Sequence, residues 1–126
     1  AQIIINTAGP SIQPGNSRDR MVLLQTNVQV MKEIMTQITT YTRSAIIINV
    51  SNPMDILTYI ALKESGYPAN RVIGSGTVLD TGRFRYELGE HLGVDSRSVH
   101  AYIIGEHGDS ELAAWSDARV GGLPNQ

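Results

Sequence analysis

Apolar residues recur along this chain in two patterns, one typical of buried strands and the other of amphipathic helices. Residues 2–6 and 45–50 each contain three consecutive isoleucines, and turn-forming residues follow both ranges. Both runs are therefore predicted to be buried strands. Residues 71–74 are predicted to be a short strand or extended link, and residues 98–104 a single longer strand.

Three segments show the periodicity of helices with one apolar face. In the first, residues 21–42, apolar side chains follow each other at spacings of four and three: Leu24, Val28, Met31, Met35 and Ile38. The second, residues 54–65, is followed by Gly66 and a nearby proline, which are typical of a helix end. Residues 78–92 predict a third helix, and residues 112–117 a short, partly helical segment.

The alternation of strands and helices predicts the class of fold. Apolar strands separated by helices are typical of an α/β fold, with a parallel sheet and helices on its faces. In such folds, nucleotides and substrates bind at the carboxyl ends of the strands. Here these ends are residues 7–9 and 50–52, so we expect a ligand near both segments.

Composition narrows the function classes. Hydrophobic residues make up 41% of the 126 residues and charged ones 17%, which is enough for a sizeable core. The net charge is −2, and the lack of a lysine or arginine block argues against binding to nucleic acid or an anionic membrane. No cysteine is present, so neither a disulfide nor a cysteine-based metal site is predicted. Because the chain opens directly in a strand and ends in turn-forming residues, we expect it to be part of a longer protein.

One histidine lies where a catalytic group would be expected. His107 is flanked by glycines in the segment 105–109, at the end of a predicted strand. An imidazole in such a place can reach into a cleft and exchange a proton near neutral pH. A loop histidine without function is the alternative reading, for which His91 and His100 are better candidates.

Two charged residues near the start of the third predicted helix could support such a histidine. Asp80 could orient an imidazole and stabilise its cation, or be an ordinary acid that the helix dipole favours. Arg83 lies one turn further, and its planar guanidinium suits a bidentate grip on a carboxylate. A solvated helix arginine is the alternative for Arg83.

The loops that follow the first two strands offer further polar groups. Asn52 ends the second strand and could donate a hydrogen bond to a reacting oxygen, or only form a turn before proline. The loop at residues 11–20 contains Arg18 and Arg20, and an arginine on a closing loop can polarise a carbonyl. Gly9 permits close approach of a ligand to the backbone, although a single glycine is weak support.

Together, these groups resemble one family in order and spacing. The matching blocks are TAG at 7–9, SNPMDILTY at 51–59, RVIGSGTVLDTGRFR at 71–85 and SVHAYIIGEHGDS at 98–110. They resemble the NAD-dependent L-2-hydroxy-acid dehydrogenases of the lactate/malate dehydrogenase family, and its lactate dehydrogenase members above all. The resemblance implies the second half of a Rossmann-type doubly wound domain at residues 1–71 and the start of an α+β substrate domain at residues 72–126.

The resemblance also implies a role for each candidate residue. His107 would exchange the proton at the substrate oxygen, with Asp80 as its partner. Arg83 would bind the substrate carboxylate, and Asn52 would contact the reacting oxygen. The resemblance implies that Gly9, Val50, Ser51, Asn52 and Ser75 line the cofactor. The family's Gly-x-Gly-x-x-Gly loop and ribose-binding acid are absent from this sequence.

Three further implications concern specificity and control. The catalytic loop arginine falls on Arg18 when counted from the preceding Pro-Gly, and on Arg20 when counted back from the helix; the Asp-Arg-Met sequence favours Arg20. Ile12 stands where the family reads the substrate side chain. Lactate dehydrogenases carry Gln and malate dehydrogenases Arg at that position, and an apolar residue there would favour larger apolar 2-oxo acids. Lactate is the first expectation, with branched-chain 2-hydroxyisocaproate, malate or an inactive, binding-only paralogue as alternatives. Arg85 and His100 match positions that bind fructose 1,6-bisphosphate in some bacterial members, although structural or surface roles are equally compatible. A cytoplasmic homo-oligomer is expected.

Overall fold

The structure, a computed structural model, describes residues 1–10 and 20–124; for residues 20–23 it describes the backbone only. The chain forms two compact units that divide between Ser75 and Gly76. Among the described residues, none of the helices combines the length and the apolar character needed to cross a membrane.

The first unit is a parallel sheet with two helices. The strands are β1 (Ile3–Asn6), β2 (Ile46–Asn49) and β3 (Val72–Gly74), hydrogen-bonded in the order β1-β2-β3. Helices α1 (Arg20–Tyr41) and α2 (Met54–Ser65) connect them. The α/β prediction is confirmed, and the elements lie within one or two residues of their predicted bounds.

The core of this unit forms between the helices and one face of the sheet. The apolar stripe predicted on α1 supplies Met31 and Met35, which are buried against Ile47 of β2 and Leu57 of α2. Chain order and strand order coincide, so right-handed connections bring both helices to the same face. On the opposite face, isoleucines of β1 are exposed, with Ile3 at 56% and Ile5 at 62%. The prediction of a fully buried first strand is therefore wrong for this chain.

The second unit consists of one long helix and short strands. Helix α3 spans Val78–Leu92, as predicted, and ends at Gly93 in the left-handed conformation. Strand β4 (Val99–His100) pairs with β7 (Arg119–Val120), which pairs with β8 (Leu123–Pro124). Strand β5 (Ile103–Ile104) pairs with β6 (Leu112–Ala113). Short 3₁₀ helices occur at Ala69–Arg71, Ser96–Ser98 and Trp115–Asp117.

The predicted single strand at residues 98–104 is wrong, because it is divided between two sheets. The backbone changes partners at Ala101 and Tyr102. The Ala101 carbonyl accepts a hydrogen bond from the Arg85 side chain (2.8 Å) and the Tyr102 carbonyl accepts one from Ala114 N (2.9 Å). At Ala101, the Arg85 side chain thus provides the donor that a neighbouring strand would otherwise provide.

Strand β3 extends the first sheet, because it pairs with β2 through Val72 and Ile47, and the first compact unit continues to Ser75. The division into domains after Arg71, expected from the sequence, stays a prediction.

Replacement of Gly74 by alanine is expected to lower the free energy of unfolding by about 1–3 kcal/mol, the cost of overpacking a core. The added Cβ would overlap Met54 Sδ and lie 2.7 Å from Thr58 Oγ1, where α2 packs on β3. Gly82→Ala is the control, because Gly82 lies on an exposed part of α3 and no atom of the described residues is within 4 Å of the new methyl group. It is expected to stabilise by about 0.5–1 kcal/mol. Urea unfolding of the full-length protein measures both, and equal effects would contradict the packing argument.

Candidate active site

The carboxyl edge of the parallel sheet holds the first group of candidate residues. Val50 N donates to Asn6 O and Ser75 N donates to Asn49 O, each at 2.9 Å, which continues the strand pairing past the strand ends. Ser51 Oγ donates to Ala8 O at 2.6 Å and ties the loop after β2 to the loop after β1. Hydrogen bonds therefore join the segments that carry Gly9, Val50, Ser51, Asn52 and Ser75.

A buried amide pair lies beneath this edge. The tetrapeptide Ile-Ile-Ile-Asn forms both β1 and β2, and its last residues, Asn6 and Asn49, are register partners. Asn6 Nδ2 donates to Asn49 Oδ1 (3.0 Å), and Asn49 Nδ2 donates to Met54 O and Thr58 Oγ1 (both 3.2 Å). Sequence reasoning missed this pair, although the repeated tetrapeptide was a visible signal.

Asn27 of α1 joins the two loops from the helix side. Its side chain is buried, and Nδ2 donates to Asn52 O at 2.8 Å and to Pro10 O at 3.3 Å. Its Oδ1 would lie 2.7 Å from a Cβ at Gly9, whose φ of 144° is one that L side chains rarely adopt. Glycine is therefore required at position 9 by both space and conformation. The Asn52 residue itself is exposed, and the Asn52–Pro53 peptide is cis.

The second group of candidates is centred on an imidazole–carboxylate contact. His107, on the loop after β5, has its Nδ1 2.6 Å from Asp80 Oδ2, in the first turn of α3. The side chains are 25% and 12% exposed, so both are shielded without being closed off from solvent. A carboxylate that accepts a hydrogen bond from Nδ1–H favours the tautomer with the proton on Nδ1, in which Nε2 is the basic nitrogen.

Two threonines hold the helix and the strand that carry this pair. Thr77 Oγ1 donates to Ile103 O at 2.6 Å. Ile103 N donates to Thr81 Oγ1 at 3.0 Å, and the Thr81 hydroxyl also lies 3.3 Å from Ile103 O. Both polar groups of a single β5 residue are thus bound by α3, which sets the spacing between Asp80 and His107. Sequence reasoning did not single out either threonine.

Arg83 lies one turn along α3 from Asp80. Its Nη1 is 4.0 Å from Asp80 Oδ1, and the side chain is 70% exposed. This distance is long for a hydrogen bond, so the guanidinium keeps most of its donors for another partner. A carboxylate is the partner that its planar fork matches best.

A second carboxylate, which sequence reasoning missed, faces the same imidazole nitrogen. Glu111 Oε2 lies 3.9 Å from His107 Nδ1. Together with Asp80 these groups form a set whose ligand atoms all lie within 4.8 Å of one another. Two ligands of one tetrahedral ion, with bonds of about 2.0–2.2 Å, would lie roughly 3.4 Å apart, whereas the 2.6 Å between Nδ1 and Oδ2 is a hydrogen-bond distance. The contact with Asp80 is a hydrogen bond.

The two residues considered for anion binding have defined surroundings. Arg85 Nε donates to Ala101 O at 2.8 Å, and its guanidinium lies 4.6 Å from the centre of the Tyr102 ring. His100 is exposed on β4, opposite Arg119 of β7. These contacts support a structural role for Arg85.

Three predicted residues have no described side chain. Ile12 and Arg18 lie outside the described residues. Arg20 is the first residue of α1, but only its backbone is described. The groups around Asn52 and His107 belong to different compact units.

Comparisons with known proteins define the class to which this fold and these groups belong. Residues 1–74 match the family model for the lactate/malate dehydrogenase NAD binding domain. Residues 77–126 match the model for the lactate/malate dehydrogenase alpha/beta C-terminal domain. The chain belongs to the lactate/malate dehydrogenase family.

Within the family, the similar proteins are L-lactate dehydrogenases. The chain is 54% identical to the L-lactate dehydrogenase of Acetivibrio thermocellus, covering 98% of this chain and 38% of that protein. It is 51% identical to L-lactate dehydrogenase 2 of Clostridium acetobutylicum, with 98% and 39% covered. The ligand-bound minor L-lactate dehydrogenase of Enterococcus mundtii superimposes with a TM-score of 0.91 at 50% identity, over 98% of this chain and 39% of that one. The chain thus spans 38–39% of the length of these relatives.

Replacement of Thr81 by valine is expected to lower the free energy of unfolding by about 1 kcal/mol, because the Ile103 N–H loses its acceptor. Thr81→Ser retains the hydroxyl and is expected to stay close to the parent. Urea unfolding of the full-length protein compares the two. Equal losses in both variants would mean that the Thr81 methyl group, not its hydroxyl, holds β5 on α3.

Proposed function

We propose that the full-length protein is an NAD-dependent L-2-hydroxy-acid dehydrogenase that interconverts (S)-lactate and pyruvate. The observation that carries this proposal is the 2.6 Å contact between His107 Nδ1 and Asp80 Oδ2, with Arg83 one turn away on the same helix. Such a set provides a proton-exchanging group and a carboxylate-binding group side by side. These are the two functions that a 2-hydroxy acid requires of the protein.

The Asp80 contact determines how the proton moves. With Nδ1–H donated to Asp80, the proton is exchanged at Nε2 of His107. During oxidation, Nε2 takes the hydroxyl proton of lactate, and the Asp80 carboxylate stabilises the imidazolium that forms. During reduction, the imidazolium returns the proton to the oxygen at C2. The bound NAD supplies the hydride chemistry, which the protein itself cannot perform.

The remaining side chains bind and polarise the substrate. Arg83 holds the carboxylate through its fork, which fixes the orientation of C2. Asn52 contacts the reacting oxygen, and the loop arginine, Arg20 in preference to Arg18, polarises the carbonyl. Ile12 reads the substrate side chain, and an apolar residue there suits the methyl group of lactate or a larger apolar group. All these roles rest on the family resemblance.

The cofactor lies along the carboxyl edge of the first sheet in this proposal. The segments there are tied together by hydrogen bonds from Ser51 and Asn27, and Gly9 has no Cβ to keep a ligand away. Val50, 41% exposed, offers an apolar contact next to the Ser51 and Asn52 polar groups. We assign Gly9, Val50, Ser51, Asn52 and Ser75 to this site. As the family resemblance implies, the protein is a cytoplasmic homo-oligomer.

Pyruvate is expected to be the preferred substrate of the full-length protein. The measurement is NADH oxidation at saturating cofactor with pyruvate, 2-oxoisocaproate and oxaloacetate, compared by kcat/KM. A preference for 2-oxoisocaproate would assign the protein to the branched-chain alternative, and one for oxaloacetate to the malate alternative. NADH binding without turnover of any of the three would refute the dehydrogenase and favour a binding-only paralogue.

Replacement of His107 by asparagine is expected to lower kcat for pyruvate by about 10²–10⁴-fold, the usual contribution of a general acid–base group. NADH affinity, measured by fluorescence titration, is expected to stay unchanged. His91→Asn is the control, because His91 is exposed in the last turn of α3. Retention of activity by His107→Asn would remove His107 from the mechanism.

A further inference from the structure

Glu111 brings a carboxylate into the histidine site that the proposed reaction does not use. Its Oε2 is enclosed and has no hydrogen-bond partner among the described residues. The same atom lies 3.9 Å from His107 Nδ1, the nitrogen that contacts Asp80 at 2.6 Å. An enclosed anion without a hydrogen bond is unfavourable unless a positive charge compensates it.

The backbone keeps Glu111 close to the histidine. Glu111 N donates to Gly108 O at 3.1 Å, which closes a tight turn directly after His107. The following residues, Leu112–Ala113, form β6 and pair with β5, the strand that leads to His107. Glu111 is therefore fixed at both ends, and a small side-chain movement would bring its carboxylate within hydrogen-bond distance of Nδ1.

We propose that Glu111 is a second positioning residue for His107: it adds negative charge beside the imidazolium and accepts the hydrogen bond from Nδ1–H when Asp80 is unavailable. The catalytic consequence rests on the proposed dehydrogenase function. Because Nδ1 carries one hydrogen, it donates to only one of the two carboxylates, and the closer Asp80 accepts this hydrogen bond in the parent protein. Glu111 favours the same tautomer as Asp80, since the carboxylates of both residues are near Nδ1.

The roles of the two carboxylates can be separated by a double-mutant cycle in the full-length protein. The variants are Asp80→Ala, Glu111→Met and their combination. Methionine matches the length of the glutamate side chain but offers no carboxylate oxygen. Glu111→Gln is the conservative variant, because it retains an acceptor oxygen and loses the charge. Glu106→Gln is the matched control: it removes a charge from the same loop, but its carboxylate accepts a hydrogen bond from Ser110 Oγ.

The cycle is expected to be strongly non-additive. Glu111→Met alone is expected to lower kcat for pyruvate by about threefold with KM unchanged, whereas in the Asp80→Ala background it is expected to lower kcat by about tenfold. Glu111→Gln is expected to lie between parent and methionine in both backgrounds, and Glu106→Gln to match the parent. Equal effects of Glu111→Met in the two backgrounds would overturn the proposal.

Two measurements that need no turnover complete the test. In ¹⁵N-histidine-labelled protein, the His107 signals, assigned by their loss in His107→Asn, report which ring nitrogen carries the proton. We expect protonated Nδ1 to persist in Asp80→Ala and to be lost in the double variant; the same tautomer mixture in both would refute the role of Glu111.

The thermal midpoint of Glu111→Met is expected to equal or exceed that of the parent, because an enclosed, unbonded carboxylate is removed. A clear decrease would instead assign Glu111 a merely structural role.

The same data distinguish failure of this inference from failure of the proposed function. If the parent protein does not reduce pyruvate, the dehydrogenase proposal fails, while the ¹⁵N tautomers still decide whether Glu111 replaces Asp80. If the parent is active and the cycle is additive, only the role of Glu111 is refuted.

Discussion

The hydrogen bond between His107 Nδ1 and Asp80 Oδ2 is the contact on which the proposed chemistry of the second unit depends. It fixes the imidazole tautomer, and it can form only if the first turn of α3 and the loop after β5 remain at a set distance. The Ile103 backbone provides that distance, because its carbonyl is bound by the hydroxyl of Thr77, directly before α3, and its N–H by the hydroxyl of Thr81 in α3. The chemistry of the imidazole is thus determined by backbone bonds made a few residues before it.

The first unit uses buried polar groups for a comparable purpose. Asn6 and Asn49 replace apolar residues where β1 and β2 end. The Asn6 amide donates to Asn49 Oδ1 and accepts from Ala8 N, and the Asn49 amide donates to Ser51 O and Met54 O. Buried amides are favourable only when they are bonded, so these side chains permit few arrangements of the loops. Asn27 extends this restriction to Pro10 and Asn52. Hydrogen bonds from buried amides therefore hold the loops at the carboxyl edge of the first sheet, where the cofactor is proposed to bind.

Local patterns predicted the helices well and the paired contacts poorly. Helices α2 and α3 end at Gly66 and Gly93 in the left-handed conformation, a local signal that the sequence displays. The division of residues 98–104 was not predictable from periodicity, because the interrupting donor belongs to Arg85 on another element. Exposure of β1 likewise depends on the order of strands, which hydrophobicity alone does not contain.

The candidate site shows the same limit. Asp80 and His107 lie 27 residues apart, so their pairing was inferred from family motifs and not from spacing. Glu111 follows His107 at an interval of four, but no helix connects the two residues and helical spacing gave no reason to pair them. Their proximity results from a turn closed by Gly108 O, and turns of this kind have weaker sequence signals than helices.

The two units differ in how much apolar packing supports their geometry. In the first, Met31, Met35, Ile47 and Leu57 belong to a large buried cluster. In the described part of the second, the buried cluster consists of one valine and two alanines, with Phe84 and Leu88 packed against it. So small a core is a weak constraint on a hydrogen bond whose strength depends steeply on distance and angle. The threonine hydroxyls, the Arg85 contact and the turn before Glu111 must supply the missing precision, because each is directional. Single polar side chains in this unit therefore affect the histidine geometry more than apolar ones of similar size.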